Sequence, residues 1–182
     1  GSALTVLDDK TDERLATFLP RIADALLDGS RGNSGAIVAQ FFQGLADAAE
    51  DLQHFTPTTF SAAIMAGNEY AHDAMSQPRE GTILTVIAAV ADAVTTHVTK
   101  ARDSDFPALM KVALERADSA LAETTNQLDV LRKAGVVDAG AKGFVELMRG
   151  MTEFIVDCRV ADEPDLSALA IDEAMPAMAG SG

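Results

Sequence analysis

Three short glycine-bearing segments carry residue types that bind phosphate. They read GSRGNSG from Gly29 to Gly35, REGT from Arg79 to Thr82, and AGVVDAGAKG from Ala134 to Gly143. Each lies where a run of apolar residues at helical spacing begins, which predicts a helix N-terminus at each segment. A helix N-terminus presents unpaired N–H groups and the positive end of the helix dipole, and both attract anions.

The side chains of these segments fit the same chemistry. Glycine lets the backbone approach an anion closely, Ser34 and Thr82 supply hydroxyl groups, and Arg31 supplies a charge that could bracket a phosphate. Taken singly, such a loop is more often a plain helix connection, because capping residues and C-terminal glycines have the same composition. Three such loops in one small chain favour a polyphosphate site.

The composition favours an all-α fold and argues against two classes of partner. Apolar residues make up 48% of the 182 residues and aromatic residues only 5%, a mix that favours closely packed helices over a sheet. The formal net charge of −14 repels nucleic acid and anionic membranes, so we expect neither as a partner.

The sequence also indicates a cytoplasmic location. Its single cysteine, Cys158, excludes an internal disulfide and fits a reducing compartment. The first residues show no basic region followed by an apolar run, so no secretory signal is visible. The most apolar stretch, Gly81 to Val94, is too short to span a bilayer and carries Asp92. We therefore expect no transmembrane segment.

Hydrophobic periodicity predicts about seven helices in one domain. We expect that domain over residues 11–159, after an N-terminal remnant at residues 1–10 and before a linker or C-terminal strap at residues 160–182. The run AGVVDAG is weakly strand-like. The last helix is predicted to bury one apolar face, made of Phe144, Leu147, Met148, Met151 and Ile155.

Taken together, the three segments resemble the ATP-binding domain of the dihydroxyacetone kinase L-subunit (DhaL-like) family. GSRGNSGAIVAQFFQGLA, REGTILTVIAAVADA and LRKAGVVDAGAKGFVELMRGM follow the family's order between about Leu15 and Ile155. The resemblance is strongest to the bacterial fatty acid kinase (FakA-like) branch, or to versions fused to a DegV-type lipid-binding domain. It implies a single-domain barrel of about seven or eight mostly antiparallel helices, with ATP or ADP bound at one end.

The resemblance also implies which residues bind the nucleotide. Asn33, Ser34 and Gly35 would contact the phosphates. The remaining pocket residues carried over by motif are Gly81, Thr82, Asp138 and Gly140. No catalytic residue is assigned. The methionines fall at helical spacings typical of a core, although Met65 or Met110 could contact the adenine.

One family feature is missing from this sequence. The family holds magnesium through the aspartates of a D-G-D-T-G loop, whereas LDDKTDE offers Asp8, Asp9 and Asp12 without the glycines or the spacing. Either the loop lies upstream of this sequence or this copy has lost it. Because phosphoryl transfer depends on metal to neutralise charge, we predict no metal site within this sequence and impaired catalysis.

Several functions stay open at this point. The leading hypothesis is a kinase domain that transfers the γ-phosphoryl group of ATP to a fatty acid carboxylate on a DegV-like carrier or fused domain. That carboxylate is already an anionic nucleophile at neutral pH and needs no base. The alternatives are an ADP-binding subunit of dihydroxyacetone kinase, a non-catalytic nucleotide-binding or regulatory module, and a plain helical scaffold. A homodimer is an open alternative for the assembly.

Overall fold

The computed structural model describes residues 15–29, 32–101 and 104–157. Within these ranges the chain forms seven α-helices and no strand, which confirms the all-α prediction and corrects the strand-like interpretation of AGVVDAG. The helices are α1 (Leu15–Gly29), α2 (Asn33–Ala48), α3 (Pro57–Asp73), α4 (Ile83–Lys100), α5 (Phe106–Gln127), α6 (Asp129–Ala134) and α7 (Ala139–Asp157).

Capping residues set most of the helix ends. Thr56 begins α3 through a capping box, in which its hydroxyl accepts the Thr59 N–H and its own N–H donates to the Thr59 hydroxyl. Asp105 begins α5 by accepting the Ala108 N–H at 2.8 Å. Gly135 ends α6 with a φ of 67°, the left-handed conformation that glycine adopts without strain. These hydrogen bonds and the glycine conformation therefore fix the start of α3, the start of α5 and the end of α6.

Three local features differ from the sequence predictions. Pro20, which the sequence predicts to start or kink a helix, lies inside a continuous α1, where packing of α1 on α2 offsets the lost hydrogen bond and the ring clash of a proline. The apolar periodicity of the sequence predicts a helix from Asn33 to Leu52, whereas α2 ends at Ala48 because the chain then turns through hydrogen bonds back to Leu45 and Ala46. On α7, Leu147 is 38% exposed because the buried face is centred on the opposite flank of the helix.

From α1 to α5, neighbouring helices along the chain pack side by side, α6 packs on α5, and α7 closes the bundle. Short connections reverse the chain direction, so these neighbours run antiparallel. α7 packs mainly on α5 and also contacts α4 and α2. Phe41 of α2 and Phe144 of α7 meet edge to face, with ring centroids 5.3 Å apart. This arrangement brings the α1–α2, α3–α4 and α6–α7 connections to the same end of the bundle.

The α2–α3 pair crosses almost at backbone contact. A Cβ atom on Gly44 would lie 2.6 Å from the Ala66 carbonyl oxygen and 2.7 Å from the Gly67 Cα. Across the same pair, the Tyr70 hydroxyl donates to the Asp47 carboxylate at 2.6 Å. That hydrogen bond and the adjacent negative charge raise the pKa of Tyr70 above its ordinary value. Small residues at the crossing thus set how closely α2 approaches α3.

Among the described helices, α4 alone is long and apolar enough to cross a membrane by length and composition. It has 18 residues and a mean hydropathy of 1.3. The sequence prediction counted the apolar stretch only to Val94, whereas the helix continues to Lys100. Its apolar residues pack against α3 and α5. The buried residues of α4 are Ile83, Leu84, Val86, Ile87, Val90, Ala91 and Val94. This packing is that of a core helix within a helical domain.

Candidate functional site

A pocket of about 450 Å³ opens at the end of the bundle where α2, α4 and α7 begin. Its volume lies within the range of small-molecule sites. The α3–α4 connection forms one wall, and the first turn of α2 and the residue before α7 form the others. The polar lining residues are Asn33, Ser34, Ser76, Gln77, Arg79, Thr82 and Asp138.

The start of α2 offers free backbone donors to this pocket. Gly32 precedes the helix with a φ of 83°, a left-handed conformation that strongly favours glycine. No side chain of the described residues caps this helix, and its first N–H groups have no acceptor within the helix. Asn33 and Ser34 line the pocket, whereas Gly35 is half-buried behind them. Backbone N–H groups of this kind bind anions.

The start of α4 is held by its own hydrogen bonds. The Thr82 hydroxyl donates to the Arg79 carbonyl at 2.7 Å and accepts the Leu84 N–H at 3.4 Å. Thr82 lines the pocket, but its hydroxyl hydrogen is already used to fold the loop. Thr82 therefore shapes the pocket wall in this structure rather than presenting a free donor.

Gly81 stands behind the pocket wall rather than in it. Its φ is 78°, and a Cβ atom there would lie 2.8 Å from the Gln127 Cβ and 2.9 Å from the Leu128 Cγ. The Gly81 N–H donates to the Thr85 hydroxyl at 2.9 Å. Glycine is needed here because the loop before α4 packs directly on the end of α5.

The start of α7 touches the start of α2. Asp138 caps α7 by accepting the Ala141 N–H at 2.8 Å, and its own N–H donates to the hydroxyl of the buried Thr124. A Cβ atom on Gly140 would lie 2.4 Å from Ser34 Oγ and 3.0 Å from Ser34 Cβ. The predicted residues Ser34, Asp138 and Gly140 are therefore brought together, although far apart in sequence.

Arg79 is the residue that sequence reasoning missed. It is exposed, and among the described residues it is the one cation that lines the pocket and has no ion pair with any other. Its position three residues before Thr82 in REGT was a usable signal. Arg31, which the sequence prediction named as a phosphate contact, lies outside the described residues.

The apolar part of the pocket also differs from the sequence interpretation. It is formed by Ile37, Met75, Ile83 and Leu84. Met110 is fully buried in the core, and Met65 is not among the lining residues. The methionine at the pocket is Met75 because the α3–α4 connection, and not the middle of either helix, forms the wall.

The pocket supplies little for a metal ion. Among the described residues, Asp138 is the one carboxylate that lines the pocket, and one of its oxygens accepts the Ala141 N–H. Across residues 15–29, 32–101 and 104–157, no group of three or more His, Cys, Asp or Glu side chains could hold a metal. Asp8, Asp9 and Asp12 lie outside those ranges. The described residues therefore do not form a magnesium site by themselves.

Comparison with known proteins identifies similar sequences. A family model described as the DAK2 domain matches residues 1–153. The chain is 37% identical over 129 residues to Protein YloV of Bacillus subtilis, covering 71% of this chain and 23% of that protein. It is 40% identical over 144 residues to an uncharacterised protein of Staphylococcus epidermidis, covering 79% and 26%.

A third relative likewise matches most of this chain but only a small part of its own length. An uncharacterised protein of Staphylococcus saprophyticus is 35% identical over 150 residues, covering 82% of this chain and 27% of that protein. The chain thus spans about a quarter of the length of the curated relatives it matches. The similarity concerns one domain of those longer proteins.

Proposed function

The chain belongs to the DAK2 domain family, a nucleotide-binding family of the DhaL type, and from this premise we propose that its pocket is the nucleotide site of a phosphotransferase. The observation that carries the proposal is the junction of helix N-termini at one polar pocket. The uncapped start of α2 supplies N–H donors, and Arg79 supplies a positive charge on the facing wall.

The pocket has two chemically different parts that match the two parts of ATP. The polyphosphate lies against Asn33, Ser34 and Arg79, where N–H groups and a guanidinium form charge-assisted hydrogen bonds. The base lies against the apolar part, which includes Met75 and Ile83. Gly81 and Gly140 act indirectly, since each allows the close packing that holds this wall.

The acceptor we propose is the carboxylate of a fatty acid. In this reaction a carboxylate oxygen forms a bond to the γ-phosphorus, the bond to the β–γ bridging oxygen breaks, and ADP leaves with that electron pair. The products are an acyl phosphate and ADP. No base is required because a carboxylic acid is ionised at neutral pH, so the protein contributes positioning and charge stabilisation. Magnesium, when bound, neutralises phosphate charge in such reactions.

We further propose that a DegV-like carrier or fused domain presents this acceptor in the cytoplasm. Most lining residues carry hydroxyl, amide, guanidinium or carboxylate groups, and the apolar part, with Met75 and Ile83, is assigned to the base, which leaves no apolar surface in the pocket for an acyl chain. A chain that spans a quarter of its relatives leaves room for a further domain in the longer proteins. The acyl chain is therefore best supplied by a separate protein surface.

An assay for acyl phosphate tests the proposed reaction. Acyl phosphates react with hydroxylamine to give hydroxamates, which can be measured directly. The assay supplies ATP, magnesium and a DegV-like carrier loaded with palmitate, to this chain and to a version extended by the upstream sequence of its gene. We expect hydroxamate only where the extension provides the aspartate loop. ATP-dependent phosphorylation of dihydroxyacetone instead would replace the fatty acid assignment.

The second candidate is a non-catalytic nucleotide-binding module. It is favoured by one observation, the lack of a carboxylate cluster within the described residues. This module would bind ADP in the same pocket and regulate a partner without transferring phosphate. An extended protein that binds ADP but forms neither hydroxamate nor dihydroxyacetone phosphate would support this candidate over the kinase.

Replacing Arg79 should weaken nucleotide binding. Arg79→Ala is expected to lower the affinity for ADP by about tenfold or more, because a hydrogen bond to a charged group contributes about 1.5–3 kcal/mol. The affinity for adenosine should stay unchanged, since adenosine has no phosphate. Calorimetric titration measures both. Arg116→Ala is the matched control, because Arg116 pairs with Glu123 on α5 and does not line the pocket. Equal losses for ADP and adenosine would remove Arg79 from the phosphate site.

A further inference from the structure

The short helix α6 exposes apolar side chains beside the pocket. None of its residues is buried. Val130 is 77% exposed, and Val136, just after the helix, is 50% exposed. Two exposed valines on one short segment form an apolar surface that is available to a partner. We call residues 128–137 the α6 ledge.

The α6 ledge is held in place by backbone hydrogen bonds. The Val136 N–H donates to the Leu131 carbonyl at 3.2 Å and the Gly135 N–H to the Arg132 carbonyl at 3.3 Å, the pattern of a Schellman turn. The Thr125 hydroxyl of α5 donates to the Val136 carbonyl at 3.1 Å. The exposed valines therefore lie on a segment whose backbone is held in one conformation by hydrogen bonds.

The position of the ledge links it to the proposed reaction. Leu128, which begins it, packs against Gly81 behind one pocket wall, and Asp138, which follows it, lines the pocket. A protein that delivers an acceptor to the pocket must approach this end of the bundle. The ledge is an apolar surface at that approach.

The charge of the ledge favours an acidic partner. The chain as a whole has a net charge of −14, yet Arg132 and Lys133 are exposed on α6 and Lys142 on the first turns of α7. Arg132 pairs with Asp129, whereas Lys133 and Lys142 have no ion pair with any described residue. Carboxylates on a partner would complement these lysines.

Resting on the proposed function, we propose that the α6 ledge is the docking surface for the fatty-acid carrier. The matching surface of the carrier is an apolar patch edged by Asp and Glu side chains. Val130 and Val136 supply the apolar contact, Lys133 supplies the charge contact, and docking places the fatty acid carboxylate at the mouth of the pocket.

Titration with a carrier tests the docking surface. The probe is a purified, fluorescently labelled DegV-like protein loaded with palmitate, and its anisotropy is followed as this chain is added. We expect Val130→Glu to raise the Kd by about tenfold or more, as at a central interface residue. Phe154→Glu is the matched control, because Phe154 is also exposed, at 57%, near the other end of α7. It should leave the Kd unchanged.

The outcomes separate this inference from the proposed function. ADP affinity should be equal in all three proteins, which shows that each is folded. Carrier binding that Val130→Glu leaves unchanged, or that Phe154→Glu weakens equally, overturns the docking surface while the nucleotide site stands. An unmodified chain that binds ADP but no carrier overturns it as well. A dimer that Val130→Glu dissociates in sedimentation would assign the ledge to a second copy of this chain.

Discussion

Gly140→Ala should weaken ADP binding by about tenfold or more while the protein stays folded. The added methyl group would sit 2.4 Å from Ser34 Oγ and 3.0 Å from Ser34 Cβ, so either Ser34 or the start of α7 must move. Both belong to the wall proposed to bind phosphate, and displacement of a positioned donor removes its hydrogen bonds. Calorimetric titration with ADP gives the affinity, and thermal melting reports the fold.

Two further variants test whether the contact of the new methyl group with Ser34 causes the loss of ADP affinity. Gly143→Ala lies on the same helix with nothing within 4 Å of the new methyl group, so it should bind ADP normally and gain up to about 1 kcal/mol of helix stability. Ser34→Gly combined with Gly140→Ala removes the collision and should restore the melting temperature but not ADP affinity. Restored affinity in that double variant would show that Ser34 itself contributes nothing to binding.

Gly44→Ala should be the most destabilising of the glycine substitutions. The new methyl group would meet the Ala66 backbone at 2.6 Å and the Gly67 Cα at 2.7 Å, and backbone atoms cannot rotate away. Overpacking of this kind costs about 1–3 kcal/mol. After the helix-propensity gain of alanine, we expect a net loss of about 2 kcal/mol, or about 6 °C in Tm. Denaturant unfolding and thermal melting measure the loss.

Gly67→Ala provides the comparison on the facing helix. Its methyl group would meet the ends of two side chains, Leu45 Cδ1 at 2.5 Å and Phe41 Cδ2 at 2.8 Å. Side-chain ends can shift at smaller cost than backbone, so the loss of stability should be about half that of Gly44→Ala. If Gly67→Ala proves the more damaging of the two, α2 and α3 do not cross at the contact described.

Signals between residues close together in the sequence were sufficient to predict most of the helices. Thr56, which caps α3, and the glycine that follows α6 act through hydrogen bonds to neighbours a few residues away. Such signals can be read from a short window of sequence. The continuity of α1 through Pro20 could not be predicted in this way. It depends on the packing of α1 on α2, which outweighs the cost of a proline in a helix.

Contacts between residues far apart along the chain could not be predicted from the sequence. Gly44 and Gly67 look like weak points in their helices, and only the α2–α3 crossing explains them. Leu147 fits the apolar stripe of α7 but lies on its exposed flank. Both cases depend on which helix packs against which, and helical periodicity carries no information about the partner.

The candidate site was partly predictable for the same reason. The three motifs lie at the end of the bundle where the candidate pocket opens, because helix N-termini have recognisable residues. The contact of Gly140 with Ser34 and the use of the Thr82 hydroxyl by the Arg79 carbonyl required the folded chain. Arg79 itself was visible in REGT, but its place on the pocket wall was not.

The most direct test of the nucleotide site is an NMR titration of the labelled chain with ADP, following each backbone amide. We predict chemical-shift changes that grow with ADP up to millimolar concentration at Asn33, Ser34 and Gly35. Weaker changes are expected around Asp138, and none at Ser104, at the other end of the bundle. An absence of shifts at Asn33 to Gly35 at millimolar ADP, or the largest shifts at the end of the bundle that carries Ser104, would contradict the account.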